Sequence, residues 1–194
     1  MAALAPVAAR SAGEDERGRL VAGFPRLGDR SGEKGGEAVG PNPTDRGKPG
    51  SKRHLLTDGR GIPLAVILTA ANIHDSKVFE ELIDAVEPVK RPGRGRPRRR
   101  PEKLHADKGY DFPRCRKALQ KRGIAARIAR RGIDSSERLG RYRWVVERTQ
   151  AWLNRFRRLV IRYERRSDIH EAFLHLAAAL ICFTSLLQRF QEHC

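Results

Sequence analysis

Hydrophobic and polar positions fall into a regular order from about Lys52. His54-Leu55-Leu56-Thr57 runs into Asp58-Gly59-Arg60-Gly61, and Ile62-Pro63-Leu64-Ala65-Val66-Ile67-Leu68-Thr69 follows. Two apolar runs around an Asp-Gly turn predict a β-hairpin whose second strand is buried on both faces. Asp75-Ser76 offers an N-cap for a helix carrying Val78, Phe79, Leu82, Ile83 and Val86, ended by Pro88. A short strand, Leu104-His105-Ala106, leads into Asp107-Lys108-Gly109-Tyr110-Asp111. A basic helix from Pro113 to Arg122 closes at Gly123, and Ile124 to Ala129 forms a further strand. After a loop through Gly132 and Gly140, a helix starts near Tyr142 with Val145, Val146, Trp152, Leu153 and Phe156. The last helix opens with Asp168 and Glu171 spaced as a capping box. Its three- and four-residue steps predict that Ile169, Phe173, Leu176, Leu180, Phe183 and Leu187 are buried. The order hairpin, helix, strand, helix, strand, helix, helix predicts an α/β layered fold.

The first 50 residues break this regularity. They hold 10 of the 18 glycines and 5 of the 11 prolines, and the best apolar run, Leu20-Val21-Ala22-Gly23-Phe24, is stopped by Pro25. Loop or disorder is expected there, so residues 1–50 read as a poorly ordered segment and 51–190 as the folded domain. No run reaches the roughly 18 consecutive apolar residues of a membrane span, and no cationic leader precedes an apolar stretch at the N-terminus. Neither membrane insertion nor secretion is expected. The three cysteines, Cys115, Cys182 and Cys194, lie far apart and form no metal-ligand spacing. They predict neither a disulfide framework nor a zinc module, and a reducing interior follows.

Charge changes the picture by its location. From Arg91 to Arg166 there are 26 Lys or Arg against 7 Asp or Glu, a surplus of +19 in a chain of net charge +17. Such a block attracts phosphate polymers through counterion release. Arginine outnumbers lysine 31 to 9, which suits bidentate phosphate contacts. Lys90 to Lys103 carries eight basic residues among Pro and Gly and reads as an exposed loop. There Arg98, Arg99 and Arg100 are candidates for tracking a DNA backbone, or simply a solvated insertion.

Two acids stand inside this basic region. Asp107 follows a strand and precedes Gly109, where an α/β sheet presents ligands. Glu147 lies on a helix among Arg143, Arg148 and Arg155, with Trp144 and Trp152 nearby. Carboxylates on a strand end and a facing helix can hold a divalent metal, and two such ions activate a nucleophile and stabilise the leaving oxygen of a phosphodiester. The plain alternative is that Glu147 pairs with a neighbouring Arg and Asp107 caps the next helix. His74-Asp75 can likewise touch metal or cap a helix. Trp144 and Trp152 can stack on a flipped base or pack the core of their own helix.

The residues resemble a known family. Leu104-His105-Ala106-Asp107-Lys108-Gly109-Tyr110-Asp111 resembles the second-Asp motif of bacterial insertion-sequence DDE transposases. Arg143-Trp144-Val145-Val146-Glu147-Arg148-Thr149, continued by Trp152-Leu153-Asn154-Arg155-Phe156-Arg157-Arg158, resembles their Glu motif. Gly40-Pro41-Asn42-Pro43-Thr44-Asp45-Arg46-Gly47 and Ala71-Asn72-Ile73-His74-Asp75-Ser76 match upstream, in the same order. The resemblance implies a ribonuclease-H-like mixed sheet with flanking helices over residues 51–190. It also implies three carboxylates holding Mg²⁺ (or Mn²⁺), with Asp107 the second and Glu147 the third. It implies Arg143 and Arg155 as the basic residues of the Glu motif; with Arg148 beside Glu147, and Arg98, Arg99 and Arg100 of the basic loop, they make up the candidate DNA-binding set. Partners are then transposon-end and target DNA, with a homodimer allowed, in the nucleoid-associated cytoplasm of a bacterium. The first carboxylate belongs on the first strand, which the sequence does not reveal: Phe24-Pro25-Arg26-Leu27-Gly28-Asp29 stands where it is expected. The expectation is of the C-terminal, catalytic part of a transposase truncated at its N-terminus, incomplete and inactive alone. A non-catalytic DNA-binding remnant, a basic RNA-binding protein and a metal-dependent nuclease on the same core are the rivals.

Overall fold

In the computed structural model, residues 19–23, 36–88, 100–132 and 136–192 are described, the side chains of 19–23, 136–143 and 192 excepted. The hairpin forms as expected: β3 (Pro49–Asp58) runs antiparallel to β4 (Pro63–Ala70). Its turn has a local cause. The Asp58 carboxylate accepts the backbone N–H groups of Arg60 and Ile62 at 2.9 and 2.8 Å, and Gly61 takes a φ of +81° that side chains resist. Ahead of it, β2 (Gly40–Pro41) pairs with the start of β3.

The short run read as loop is a strand. β1 (Arg19–Gly23) stands between β3 and β5 (Lys103–Ala106), antiparallel to the first and parallel to the second. Leu20 is set beside Asp58 and Leu104, and Ala22 beside Leu56 and Ala106. β6 (Ala125–Ile128) continues the sheet in parallel, so the order across it is β4-β3-β1-β5-β6. The first 50 residues therefore contribute β1 and β2. Pro25 had argued against a strand, but it lies beyond the last paired residue.

Helices cover both faces. α1 (Asp75–Asp84) and α2 (Pro113–Lys121) cover one, around Leu56, Phe79, Leu82, Leu104, Tyr110 and Leu119. On the other face lie α3 (Ser136–Leu153), α4 (Arg157–Val160) and α5 (Ser167–Glu192), around Leu55, Val66, Leu153, Leu159, Leu174 and Ile181. Consecutive residues Leu55 and Leu56 serve opposite cores, as strand alternation requires.

Four details differ from the sequence reading. α1 is capped by His74, whose ring accepts the Ser76 N–H at 3.3 Å, rather than by Asp75. α3 begins at Ser136 and runs through Gly140, six residues earlier than expected. α5 begins at Ser167, so Asp168 sits within its first turn and binds Arg166 and the Ile169 N–H instead of serving as the N-cap. The largest difference is the face α5 buries. His170, Leu174, Ala177, Ala178 and Ile181 point inward, while Ile169, Leu176, Leu180, Phe183 and Leu187 are exposed. An 18-residue window within Ser167–Gln191 has a mean hydropathy of 1.6, so by length and composition alone this helix is long and apolar enough to cross a membrane. It nevertheless packs along β4.

His54 shows how far burial reaches in this sheet. Its ring is fully buried, with Nε2 2.7 Å from Thr69 Oγ1, and burial, aided by Lys52, lowers its pKa to about 3. Below the unfolded value near 6.5 the unfolded chain takes up a proton that the native chain refuses. Stability from neutral His54 is therefore complete above pH 6.5 and lost as pH falls toward 3. Urea titrations at pH 7 and pH 5 should show wild type losing about 2 kcal/mol more than His54→Asn between them. Equal losses would show that the ring titrates normally.

Candidate active site and nucleic-acid interface

Asp107 sits where β5 ends. Its backbone is extended, and its Oδ1 accepts the Gly109 N–H at 2.8 Å, capping a 3₁₀ turn over Lys108–Tyr110. A Cβ on Gly109 would lie 2.9 Å from that oxygen, so any side chain there would press on the carboxylate. The Asp-Lys-Gly-Tyr run is thus a local device that fixes one acid at a strand end. Below it Tyr110 is fully buried, 5.0 Å from Phe79 ring to ring. Burial pushes its phenol well above the usual range, and the charges of Asp75 and Asp107 push it further. Both acids thus act on one buried ring. Asp75, at the start of α1, is held by Lys52 at 2.9 Å.

Cations frame this end of the sheet. Arg116 pairs with Asp111 at 2.7 Å, and the Arg131 N–H reaches the same carboxylate at 2.9 Å. These two hold the Asp111 carboxyl below its ordinary range, the Arg131 backbone N–H most. Arg131 and Arg114 also stack on Phe112, at 4.9 and 5.2 Å.

Glu147 is exposed on α3, and the fold holds its helix firmly on either side. Buried Thr149 has its hydroxyl 2.6 Å from Gly61 O and 3.0 Å from Val145 O, and can donate to one at a time. A Cβ on Gly61 would fall 2.9 Å from that hydroxyl oxygen, so positive φ and close approach both demand glycine here. Arg148 donates to Arg60 O and lies between the rings of Trp144 and Trp152, at 4.5 and 5.0 Å. Its guanidinium is therefore part of the clamp between α3 and the β3–β4 turn. Trp152 packs against the second core, while Trp144 remains 48% exposed.

The two candidate acids are anchored at different levels of the sheet. Asp107 leaves the carboxyl end of β5, whereas the β3–β4 turn lies level with its amino half, since Leu20 is beside both Asp58 and Leu104. α3 packs across β1 and β3, and β1 is the immediate neighbour of β5. Among the described residues no group of three or more His, Cys, Asp or Glu is placed to hold a metal ion. β1 contains no acid, and Asp29 lies outside the described residues.

The arginines divide into two classes that charge counting does not separate. Arg155 and Arg100 are exposed, the latter donating to Arg122 O at 3.4 Å. Arg98, Arg99 and the Arg143 side chain lie outside the described residues. Others are spent on the fold. Arg53 donates to Leu159 O at 2.8 Å, and Arg122 ties α2 to Asp84 and Glu80 of α1. Buried Arg162 is the residue sequence reasoning missed. It donates to Glu37 O (2.7 Å), Ala38 O, Ser51 Oγ, Glu164 O and Arg165 O, strapping the segment before β2 onto β3. The motifs 40–47 and 71–76 also meet, because a Cβ on Gly40 would fall 2.4 Å from Asn72 Oδ1.

Comparison with known proteins bears on the family of the chain. The family model described as "Transposase DDE domain" matches residues 24–182. A Burkholderia cepacia protein described as "Putative transposase for insertion sequence element IS402" is 50% identical over 192 residues, covering 99% of this chain and 90% of that protein.

Proposed function

We propose that this chain, which belongs to the transposase DDE domain family, binds DNA through its basic surface and holds a divalent cation with Asp107 and Glu147. The observation that carries the proposal is the Asp107 strand end: one carboxylate fixed by Gly109, beside β1, in a sheet ordered β4-β3-β1-β5-β6. That order, with β3 antiparallel to β1 and with β5 and β6 parallel to it, supports the ribonuclease-H-like reading. It also supports residues 51–190, joined by β1, as the catalytic unit.

The donor chemistry fits Mg²⁺ or Mn²⁺. Both candidates offer hard carboxylate oxygens, and Mg²⁺ commonly takes only one or two protein carboxylates with waters and substrate phosphates. When bound, such an ion would supply Lewis-acid stabilisation of the reacting phosphodiester. The chain's own part is positioning: Gly109 holds Asp107, the Thr149 and Arg148 clamp holds the helix of Glu147, and exposed arginines gather the polyanion. Arg143, Arg155 and Arg98 to Arg100 are the proposed DNA contacts, with Arg148 acting through the helix it braces. The substrates are transposon-end and target DNA, which places the work on the bacterial nucleoid in the cytoplasm.

A second reading has an observation of its own. β1 supplies no carboxylate, so a third ligand and hence a second ion lack a donor among the described residues. In this form the chain binds DNA and one ion and does not complete strand transfer with Mg²⁺. Joining of a labelled transposon end by the purified chain would overturn that.

The DNA interface has a separate test. Affinity should fall steeply with salt, and changing Arg98, Arg99 and Arg100 to Ala should flatten the log–log slope by up to roughly 2.7. An unchanged slope would show that the loop does not touch phosphate.

A further inference from the structure

The exposed face of α5 has a pattern that neither DNA binding nor phosphodiester chemistry uses. Ile169, Phe173, Leu176, Leu180, Phe183, Leu187 and Phe190 follow one another in steps of four, three, four, three, four and three. All but Phe173, which is partly buried, are substantially exposed. That is a heptad repeat of period 3.5 sustained over three heptads, about 32 Å of helix. It is distinct from the inward face of Leu174, Ala177, Ala178 and Ile181, which the second core occupies.

The period identifies the kind of occupant. A stripe repeating every 3.5 residues matches another α-helix packed along it, whose side chains seat between its own. Electrostatics narrows the choice. No Asp, Glu, Lys or Arg occurs from Ala172 to Gln188, in a chain of net charge +17. A polyanion has nothing to bind there. Two copies of the chain repel elsewhere, but this face meets itself without like-charge contact. Ala172 and Ala179 beside the seam let a second backbone come near. The area suffices: the exposed parts of these side chains amount to on the order of 500 Å² per copy, near the top of what a monomer leaves in one patch. With flanking residues, this approaches the roughly 800 Å² per partner of a standard stable interface.

We propose that α5 of one copy packs along α5 of a second copy through this seam. The proposal is independent of the metal site and would stand if the chain did no chemistry.

The test is sedimentation of the full chain from about 1 to 100 µM, in low and high salt. Wild type should move from one chain, 21.9 kDa, to twice that mass. Leu180→Glu with Phe183→Glu should weaken association by at least ~100-fold while leaving the circular dichroism and thermal transition of the monomer in place. If that variant does not fold, cross-linking decides. Leu180 lies mid-seam, so in a chain whose native cysteines are changed to Ala, Leu180→Cys should cross-link to its own copy whichever way the helices run. A wild type at single-chain mass throughout, a dimer the double variant leaves intact, or Leu180→Cys that does not cross-link would each overturn the proposal. Flotation of single chains with phosphatidylcholine vesicles would do so in favour of a lipid-facing helix.

Discussion

Arg162→Met should cost about 3–5 kcal/mol of folding stability, the range for removing one partner from a buried charged network. The side chain is 6% exposed and donates five hydrogen bonds, four of them to backbone carbonyls. Without it the Glu37 carbonyl loses its side-chain donor, Ala38 O is left with the Ser51 hydroxyl at 2.7 Å, and Ala38, held at φ +53°, loses part of its restraint. Arg162→Lys should recover little, because one ammonium cannot reach acceptors spread around a planar fork. Denaturant unfolding measures the loss, and limited proteolysis should locate it in residues 36–51. A loss below about 1 kcal/mol would mean that the strap is decorative.

The second large effect is a gain. Parallel pairing sets Ala22 beside Ala106, so the next step along both strands brings Gly23 level with Asp107. An acid at residue 23 would put a carboxylate on the strand adjoining the Asp107 site. Gly23→Asp should therefore raise affinity for Mn²⁺ by at least ~10-fold, as expected when a further charged oxygen ligand joins a hard-cation site. Nicking of supercoiled DNA should appear with Mg²⁺ where the parent chain shows none. If affinity is unchanged while the fold is intact, β1 does not border the site.

How much of this was legible in the sequence depended on whether a residue's role was local. The hairpin, α1, α2, β5 and β6 announce themselves because Asp58, Gly61, Pro113 and Gly123 carry their instructions within a few residues. Asp107 is of the same kind, since its cap is Gly109, two positions away. β1 is the opposite case. Leu20-Val21-Ala22-Gly23 is too short to declare itself, and only hydrogen-bonded neighbours on both sides, 32 and more residues away in the chain, make it a strand. α5 misled for another reason. It is apolar nearly all round, so periodicity selected the more regular stripe, whereas the fold buried the small residues Ala177 and Ala178 beside Leu174 and Ile181. Charge counting had a matching blind spot: it cannot tell Arg155, which is exposed, from Arg148 or Arg162, which the fold consumes.

The central claim is that Asp107 and Glu147, anchored at different levels of one sheet, share a divalent cation. Mn²⁺ titration followed by electron paramagnetic resonance tests it most directly, with the full chain compared against Asp107→Asn and Glu147→Gln. One ion should bind to the parent chain, and each variant should lose at least ~10-fold in affinity with the fold unchanged. Binding that survives Glu147→Gln at full strength would contradict it, leaving Asp107 as a helix cap and Glu147 as an exposed surface acid.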